Sequence, residues 1–419
     1  MNTDASIDVM KFLFRLSETL DLAFPALVKH QMRTSYIALK IGEEARLALA
    51  DLEQIFLAAL LHDVGALSPD DKVSIRTAKY TANLETHCIY GERALSRVPI
   101  LVQPARIVRH HHTPWSAWGS SIGDGLPFKS QILLIADEIE RAIKPEKYIL
   151  HQDDDITSHI RALSGTVICP AVVELFEPLA AREDFWLSMM SPVLPENMLL
   201  NSPFTYLTMT QPSFFILAEL VSAVVDFRSH FTVTHSNGVA AATSAIASRM
   251  GLPEAEIDLL RTAAKLHDVG KMAVPNSILN KPGNLTKDEF AVVRNHTFYT
   301  YQVLRQSGFE KRVCEWAGFH HERLNGAGYP FHVGAREISA GSRIVAVADT
   351  FTALAEDRPY RKGMQKNEVL TILQDMSTVE RLDRHVVGVM KHHYDEILTM
   401  TRQDQLKAQQ TYEADFSSV

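Results

Sequence analysis

A set of histidines and aspartates that occurs twice is the strongest constraint on this chain. His62-Asp63 returns as His267-Asp268, 205 residues later (267 − 62). The same interval separates His30 from His235 and Asp21 from Asp226. It widens to 209 between His87 and His296 and between His111-His112 and His320-His321, and to 212 between Asp137 and Asp349. Polar residues in register over such a span indicate duplication of one domain, and short loop insertions account for the slow growth of the interval. The 419 residues are therefore read as two tandem domains, each long enough to close its own core. The first is placed at residues 1–195 and the second at 205–400, with residues 401–419 as a polar tail prone to fraying. The boundary falls near residues 190–211, where Pro192, Pro195, Pro203 and then Pro212 accompany weak periodicity.

The fold class expected is all-α. Residues 51–62 put Ile55, Phe56, Ala59 and Leu60 on one helical stripe, and residues 253–267 do the same with Ile257, Leu260, Ala264 and Leu266. Pro253 suits a helix start, and Gly251 suits a stop for a helix over 239–250. Alternating strand patterns are scarce, and Gly283-Asn284 and Asn325-Gly326 mark loops. A net charge of −8 argues against a broad groove for polymeric nucleic acid, though not against a small phosphate ligand held by metals and local cations. Cys88, Cys169 and Cys314 form no CxxC pair, which argues against a disulfide framework or a thiolate zinc site and fits a reducing compartment. The N-terminus shows no basic region leading into an apolar run, and the most apolar stretch, residues 214–225, is broken by Glu219 and too short for a bilayer. A cytoplasmic protein without a membrane partner is expected.

The second half offers eight candidate metal ligands: Asp226, His235, His267, Asp268, His296, His320, His321 and Asp349. This imidazole and carboxylate set suits iron, manganese or another borderline-to-hard ion, with zinc left open. Eight donors are too many for one ion; two or three ions sharing Asp268 use them better. Such a cluster makes hydroxide at neutral pH and clamps a phosphate during displacement. One buried histidine alone is ordinarily a hydrogen-bonded core residue. Adjacent His-His and His-Asp pairs in apolar helices are different, because burial without partners is costly and a shared cation satisfies them together. Lys271 lies four residues after His267, on the same face of a continuing helical turn. Its spacing fits a phosphate-neutralising cation and a solvated helix-end lysine equally well. Gly328, Tyr329 and Pro330 close a tight loop after the histidine pair, where glycine lets backbone approach a ligand and the tyrosine can stack or donate a hydrogen bond. Arg358 and Arg361 are candidates to grip phosphate oxygens, with surface ion pairing as the plain alternative.

Taken together, these residues resemble the HD-GYP phosphodiesterases, a subset of the HD-domain metal-dependent phosphohydrolases. The match runs through His235, His267-Asp268-Val269-Gly270-Lys271, His296, His320-His321-Glu322, Gly328-Tyr329-Pro330, Asp349 and Arg358-Pro359-Tyr360-Arg361, within residues 213–400. The resemblance implies an all-helical fold, two or three divalent metals, and hydrolysis of cyclic dinucleotides such as cyclic di-GMP. It implies catalytic roles for Asp268 and Lys271. Asp226 is shorter than the Glu that many members carry there. The first half resembles the same scaffold less closely. It keeps Asp21, His30, His62, Asp63, His87, His111, His112 and Asp137, a second candidate metal site. Ala66 replaces Lys271, Thr113-Pro114-Trp115 replaces the start of the Gly-Tyr-Pro loop, and Glu146 and Ile149 fall at the places of Arg358 and Arg361. This half is expected to be regulatory or structural. A degenerate HD domain joined to an HD-GYP domain looks like the 3′3′-cyclic GMP-AMP phosphodiesterases, which makes that molecule the expected substrate and a linear dinucleotide the product. Competing expectations are cyclic di-GMP hydrolysis, a general nucleotide phosphohydrolase, and a non-catalytic cyclic dinucleotide receptor.

Overall fold

The computed structural model describes residues 6–22, 29–66, 84–119, 123, 125–201, 208–227, 234–357 and 362–416. Helices carry the fold, as the periodicity predicts. The 51–62 stripe becomes the Leu49–Leu61 helix, with Ile55, Phe56, Ala59 and Leu60 buried. The Glu254–Leu266 helix starts after an extended Pro253, and the His235–Arg249 helix is followed by Gly251 at φ 76°, a left-handed turn that favours glycine. Among the described residues the strands are Ser6–Asp8 (β1) and Thr208–Thr210 (β2), paired antiparallel about Ile7 and Met209. No described helix is long and apolar enough to cross a membrane.

The chain divides into two compact units, Met1–Pro25 with Thr208–Ser418, and Ala26–Leu207. The first 25 residues therefore leave the domain in which the sequence places them. The cause is apolar. The Val9–Leu22 helix buries Phe12, Leu13, Phe14 and Leu16. The Phe12 ring meets Phe214 edge-on at 4.9 Å, and Phe214 meets Phe309 at 4.9 Å in the same geometry. β1 pairs with β2, and the Asp8 amide donates to Ser307 O at 3.3 Å. The strand and helix that open each half of the repeat thus share one unit.

The second correction concerns the C-terminus. Residues 401–416 do not fray but complete the Tyr394–Phe416 helix, which packs on the His235–Arg249 helix. Thr401 is buried, and the Gln405 side chain donates to Glu356 at 3.3 Å. A polar helix face reads as a tail in sequence because its partners are polar and distant. At the expected boundary, Pro195 opens a short helix, Leu194–Asn201, where periodicity alone is weak.

Phe12 lies outside the second half in sequence yet inside its core. Replacing it with Ala should cost about 3–5 kcal/mol, the usual range for a buried aromatic. Hydrogen exchange read by mass spectrometry should speed up in the Gln211–Phe227 helix while the Leu126–Ala142 helix keeps its protection. Equal effects on both helices would contradict the assignment.

Candidate metal centre

In the unit formed mainly by the second half, donors sit at helix ends and on two inward helix faces. His235 opens its helix, and His267 caps the Glu254–Leu266 helix with Asp268 next. His296 lies within the Lys287–Gln306 helix, His320 and His321 follow the Lys311–Gly318 helix, and Asp349 lies within Ala340–Ala355. Gly270 lets two of these segments touch: a Cβ there would fall 1.9 Å from His296 O. Thr300 clamps the same contact, accepting from the Gly270 amide at 3.0 Å and donating to His267 O at 2.9 Å.

The donor atoms of His235, His267 and Asp268 lie within 4.8 Å of one another, as do those of His296, His320 and His321. Two carboxylates join the groups. Asp268 Oδ2 is 3.2 Å from His267 Nε2, and its Oδ1 is 3.4 Å from His296 Nε2 and 4.0 Å from His320 Nε2. Asp349 Oδ1 is 3.2 Å from His235 Nε2, and its Oδ2 is 3.9 Å from His321 Nδ1. Asp226 belongs to neither group. Its carboxylate accepts from the Ser236 amide at 3.1 Å and the Ser236 hydroxyl at 2.8 Å.

Hydrogen bonding decides what the imidazoles present. Nδ1 of His267, His296 and His320 donates to the carbonyl three residues earlier, that of Ala264, Val293 and Ala317, at 2.7, 2.6 and 2.6 Å. On His296 and His320 the proton sits on Nδ1, so Nε2 turns a lone pair inward. Burial opposes charge on His267, but Asp268 and Asp349 outweigh it and raise the imidazole. His296 Nε2 and His320 Nε2 face each other at 3.2 Å. Burial pushes the His296 imidazole down to about 4, and burial with neighbouring His321 and His267 holds His320 well below its ordinary value. Both rings are neutral at pH 7, lone pair against lone pair. His267 Nε2 is buried, 3.2 Å from Asp268 Oδ2. A cation among these atoms removes each of these conflicts, and imidazole nitrogen with carboxylate oxygen is a donor set that divalent transition metals take.

Beside these imidazoles, the carboxylates of Asp226, Asp268, Asp349 and Glu356 and the ammonium of Lys271 set the local charge. Burial alone would raise the Asp268 carboxyl, but His267 and Lys271 outweigh it and hold it well below the usual range. Burial pushes Asp226 up to about 6. Burial opposes charge on His235, yet Glu356 and Asp349 raise it to about 10. Lys271 does not lie on a continuing α-helix, which stops at Leu266; it lies in the 3-10 turn Val269–Ala273. Its Nζ reaches Asp268 Oδ2 at 2.5 Å.

The Gly-Tyr-Pro loop folds back onto the histidine pair. A Cβ on Gly328 would fall 2.4 Å from Arg323 N, so the loop backbone lies directly on residues 322–323. Glu322 accepts from the Phe331 and His332 amides at 2.7 and 3.2 Å. The Tyr329 ring lies 5.0 Å from that of His321. Arg358 and Arg361 lie outside the described residues.

The unit of the first half repeats the plan. Nδ1 of His62 and His111 donates to Ala59 O and Val108 O at 2.8 and 2.6 Å. His30 Nε2 faces His62 Nε2 at 3.2 Å, and His87 Nε2 faces His111 Nε2 at 3.3 Å. Asp63 and Asp137 each approach His30 at 3.6 Å. Gly65 makes the close approach of Gly270, its Cβ position 2.1 Å from His87 O. The side chain of Asp21 lies outside the described residues, and its backbone groups with the other unit. Ala66 is buried where Lys271 stands, Glu146 is exposed and Ile149 is buried.

Comparison with known proteins agrees with this duplicated geometry. A family model described as the HD domain matches residues 217–386, and another HD-domain model matches residues 27–151. The chain belongs to the HD-domain family. Its second HD domain, with Gly328-Tyr329-Pro330, is of the HD-GYP type. The tandem HD chain is similar to the 3′3′-cGAMP-specific phosphodiesterase 1 of Vibrio cholerae serotype O1, 29% identical over 93% of both chains. Phosphodiesterase 3 of the same organism is 28% identical over 87% of this chain and 90% of its own. A cyclic di-GMP phosphodiesterase of Thermotoga maritima is 33% identical over 43% of this chain and 53% of that one. A solved cyclic GMP-AMP-specific phosphodiesterase of V. cholerae shares the fold, with TM-score 0.64 at 24% identity, covering 93% of this chain and 98% of that one.

Several functional groups of the HD domains escape sequence reading. Glu356 accepts from His235 Nδ1 at 3.1 Å; it stands seven residues after Asp349, two helical turns along the same face. Glu140 contacts His30 Nδ1 at 2.5 Å and stands one turn after Asp137. Cys88 joins the histidines of the first domain. Arg323 is half-buried, and its Nη1 finds no hydrogen-bond partner among the described residues.

Glu356→Gln should weaken divalent metal binding by the second HD domain about 10–100-fold, the usual effect of losing a carboxylate behind a metal-binding imidazole. Calorimetric titration with manganese checks it, and an unchanged affinity would separate Glu356 from the site.

Proposed function

We propose that the second HD domain hydrolyses a cyclic dinucleotide, 3′3′-cyclic GMP-AMP in preference to cyclic di-GMP, to a linear dinucleotide. The observation that carries this reading is the convergence of seven of the eight expected ligands on two linked groups, with Lys271 ion-paired to the shared Asp268. Likeness to 3′3′-cGAMP-specific phosphodiesterases along nearly the whole chain favours that substrate. The likeness to a cyclic di-GMP phosphodiesterase is confined to part of the chain. Two or three divalent ions, iron or manganese, are the expected cofactors. His235, His267, Asp268, His296, His320, His321 and Asp349 would hold them, with Asp226 at the edge of the set. Such ions supply Lewis acidity toward phosphate and a nucleophile from water at neutral pH.

The chain's own residues bind and orient. Lys271 stays charged, because Asp268 outweighs the burial that opposes its charge. Its ammonium would face the negative charge that gathers on the phosphate as water adds to phosphorus, the P–O3′ bond breaks and the leaving 3′-oxygen takes up a proton that the water gives up. Burial and Asp349 raise the Tyr329 phenol, so it stays protonated and can donate a hydrogen bond while its ring faces a base. Gly328 and Pro330 hold the loop against the histidine pair. Arg323 lies in the field of Asp349 and Tyr329 with a guanidinium nitrogen to spare, which suits a phosphate oxygen. Arg358 and Arg361 are proposed for the second phosphate. The first HD domain lacks the counterparts of Lys271 and Arg323 and is assigned a structural or regulatory role. A cytoplasmic location fits three buried free cysteines.

Protein purified anaerobically with iron or manganese should turn over 3′3′-cyclic GMP-AMP faster than cyclic di-GMP. A fully metallated sample that leaves both intact refutes the proposal, and tight binding without turnover points to a receptor. Lys271→Ala should lower kcat by about 10²–10³-fold, as loss of a preorganised charge does.

Arg323→Gln should raise KM by about 10–100-fold, the worth of a hydrogen bond to a charged group, and Arg323→Lys should restore part of it. An unchanged KM in Arg323→Gln would remove Arg323 from the substrate site.

A further inference from the structure

The first HD domain differs from the second in the chemistry of one donor. Cys88 follows His87 in the Leu84–Leu95 helix, and its Sγ lies 3.7 Å from His87 Nε2 and 3.5 Å from His111 Nδ1. The donor atoms of His87, Cys88, His111 and His112 all lie within 4.8 Å of one another. At the 209-residue interval Cys88 corresponds to Thr297, whose hydroxyl donates to Arg294 O of its own helix at 3.0 Å. The sulfur is thus an addition of the first domain. A second observation concerns the same group of residues: His112 Nε2 is buried and, among the described residues, has no hydrogen-bond partner.

We propose that His87, Cys88, His111 and His112 bind a tetrahedral, thiolate-ligated ion of the zinc class, held for structure rather than for hydrolysis. The proposal rests on the reading of the first HD domain as metal-bound and non-catalytic. Two imidazole nitrogens on one tetrahedral zinc are about 3.3 Å apart, and an imidazole nitrogen and a thiolate sulfur about 3.6 Å apart. The observed His87–His111 and Cys88–His87 separations are 3.3 and 3.7 Å. Three nitrogens and a sulfur fill a tetrahedral shell, which leaves no place for water or substrate and marks a structural site. The surroundings agree. The segment after His112 is tied down, with the Trp115 amide donating to Val167 O at 2.8 Å and that of Ser116 to Thr166 O at 3.1 Å. Ala66 and Pro114 stand at the positions of the phosphate-facing Lys271 and Arg323. As the metal–sulfur bond forms, the Cys88 thiol gives its proton to solvent. The absence of a CxxC pair, read from sequence as an argument against a thiolate site, misses a lone cysteine supplied beside histidines.

Cobalt(II) replaces zinc and absorbs intensely in the near ultraviolet when a thiolate binds it. The full-length chain, loaded with cobalt anaerobically, should show this thiolate-to-cobalt band. Cys88→Ser should lose it, and Cys88→His should lose it while keeping the bound cobalt. Cys169→Ser and Cys314→Ser should retain it. The band should also survive Asp268→Asn with His320→Ala, which disables the second domain, so the two centres are read separately. Cobalt bound at the first domain without the band, or a band that persists in folded Cys88→Ser and Cys88→His, overturns the proposal.

Discussion

Five histidines of this chain, His62, His111, His267, His296 and His320, make the same hydrogen bond, from Nδ1 to the carbonyl three residues before. That bond is local, short and buried, and it settles the tautomer before any ligand is considered. Every Nε2 then faces a place where other imidazole nitrogens and carboxylates already point. Neutral imidazoles nose to nose at 3.2 Å, as at His296–His320, are unfavourable by themselves. Metal affinity and fold stability are therefore one quantity here, since binding relieves a conflict that folding creates.

The two domains keep this conflict and differ in what surrounds it. Around the second centre stand Lys271, Arg323 and Tyr329, which favour an anionic ligand beside the ions. Around the first stand Ala66, Pro114 and Cys88, which favour closure. Even the brace behind the leading histidine moved: Glu140 is one helical turn beyond Asp137, whereas Glu356 is two turns beyond Asp349. Duplication preserved the donors because each depends on the others, while single neighbours were free to diverge.

The helical class and the repeated His and Asp pattern were legible in sequence because apolar periodicity and adjacent polar pairs are local signals. What stayed hidden is non-local. Glu356 reaches His235 across more than a hundred residues, and Gln405 in turn donates to Glu356; no motif marks either. Lys271 was placed by helical spacing on the right side chain's neighbour, though the backbone there is a 3-10 turn. Arg323 has no motif; only its burial without a partner sets it apart. The domain assignment of residues 1–25 depends on Phe12 meeting Phe214 and Phe309, contacts that a hydrophobic stripe announces without saying which core it will join.

That last contact has a temporal side. The ribosome makes Phe12 early and Phe309 almost 300 residues later (309 − 12 = 297). At about 5–20 residues per second, the amphipathic opening helix waits roughly 15–60 s for its partners. Residues 26–207 can close meanwhile into their own unit, so the chain folds its middle before its ends. During that wait an apolar segment stands uncovered.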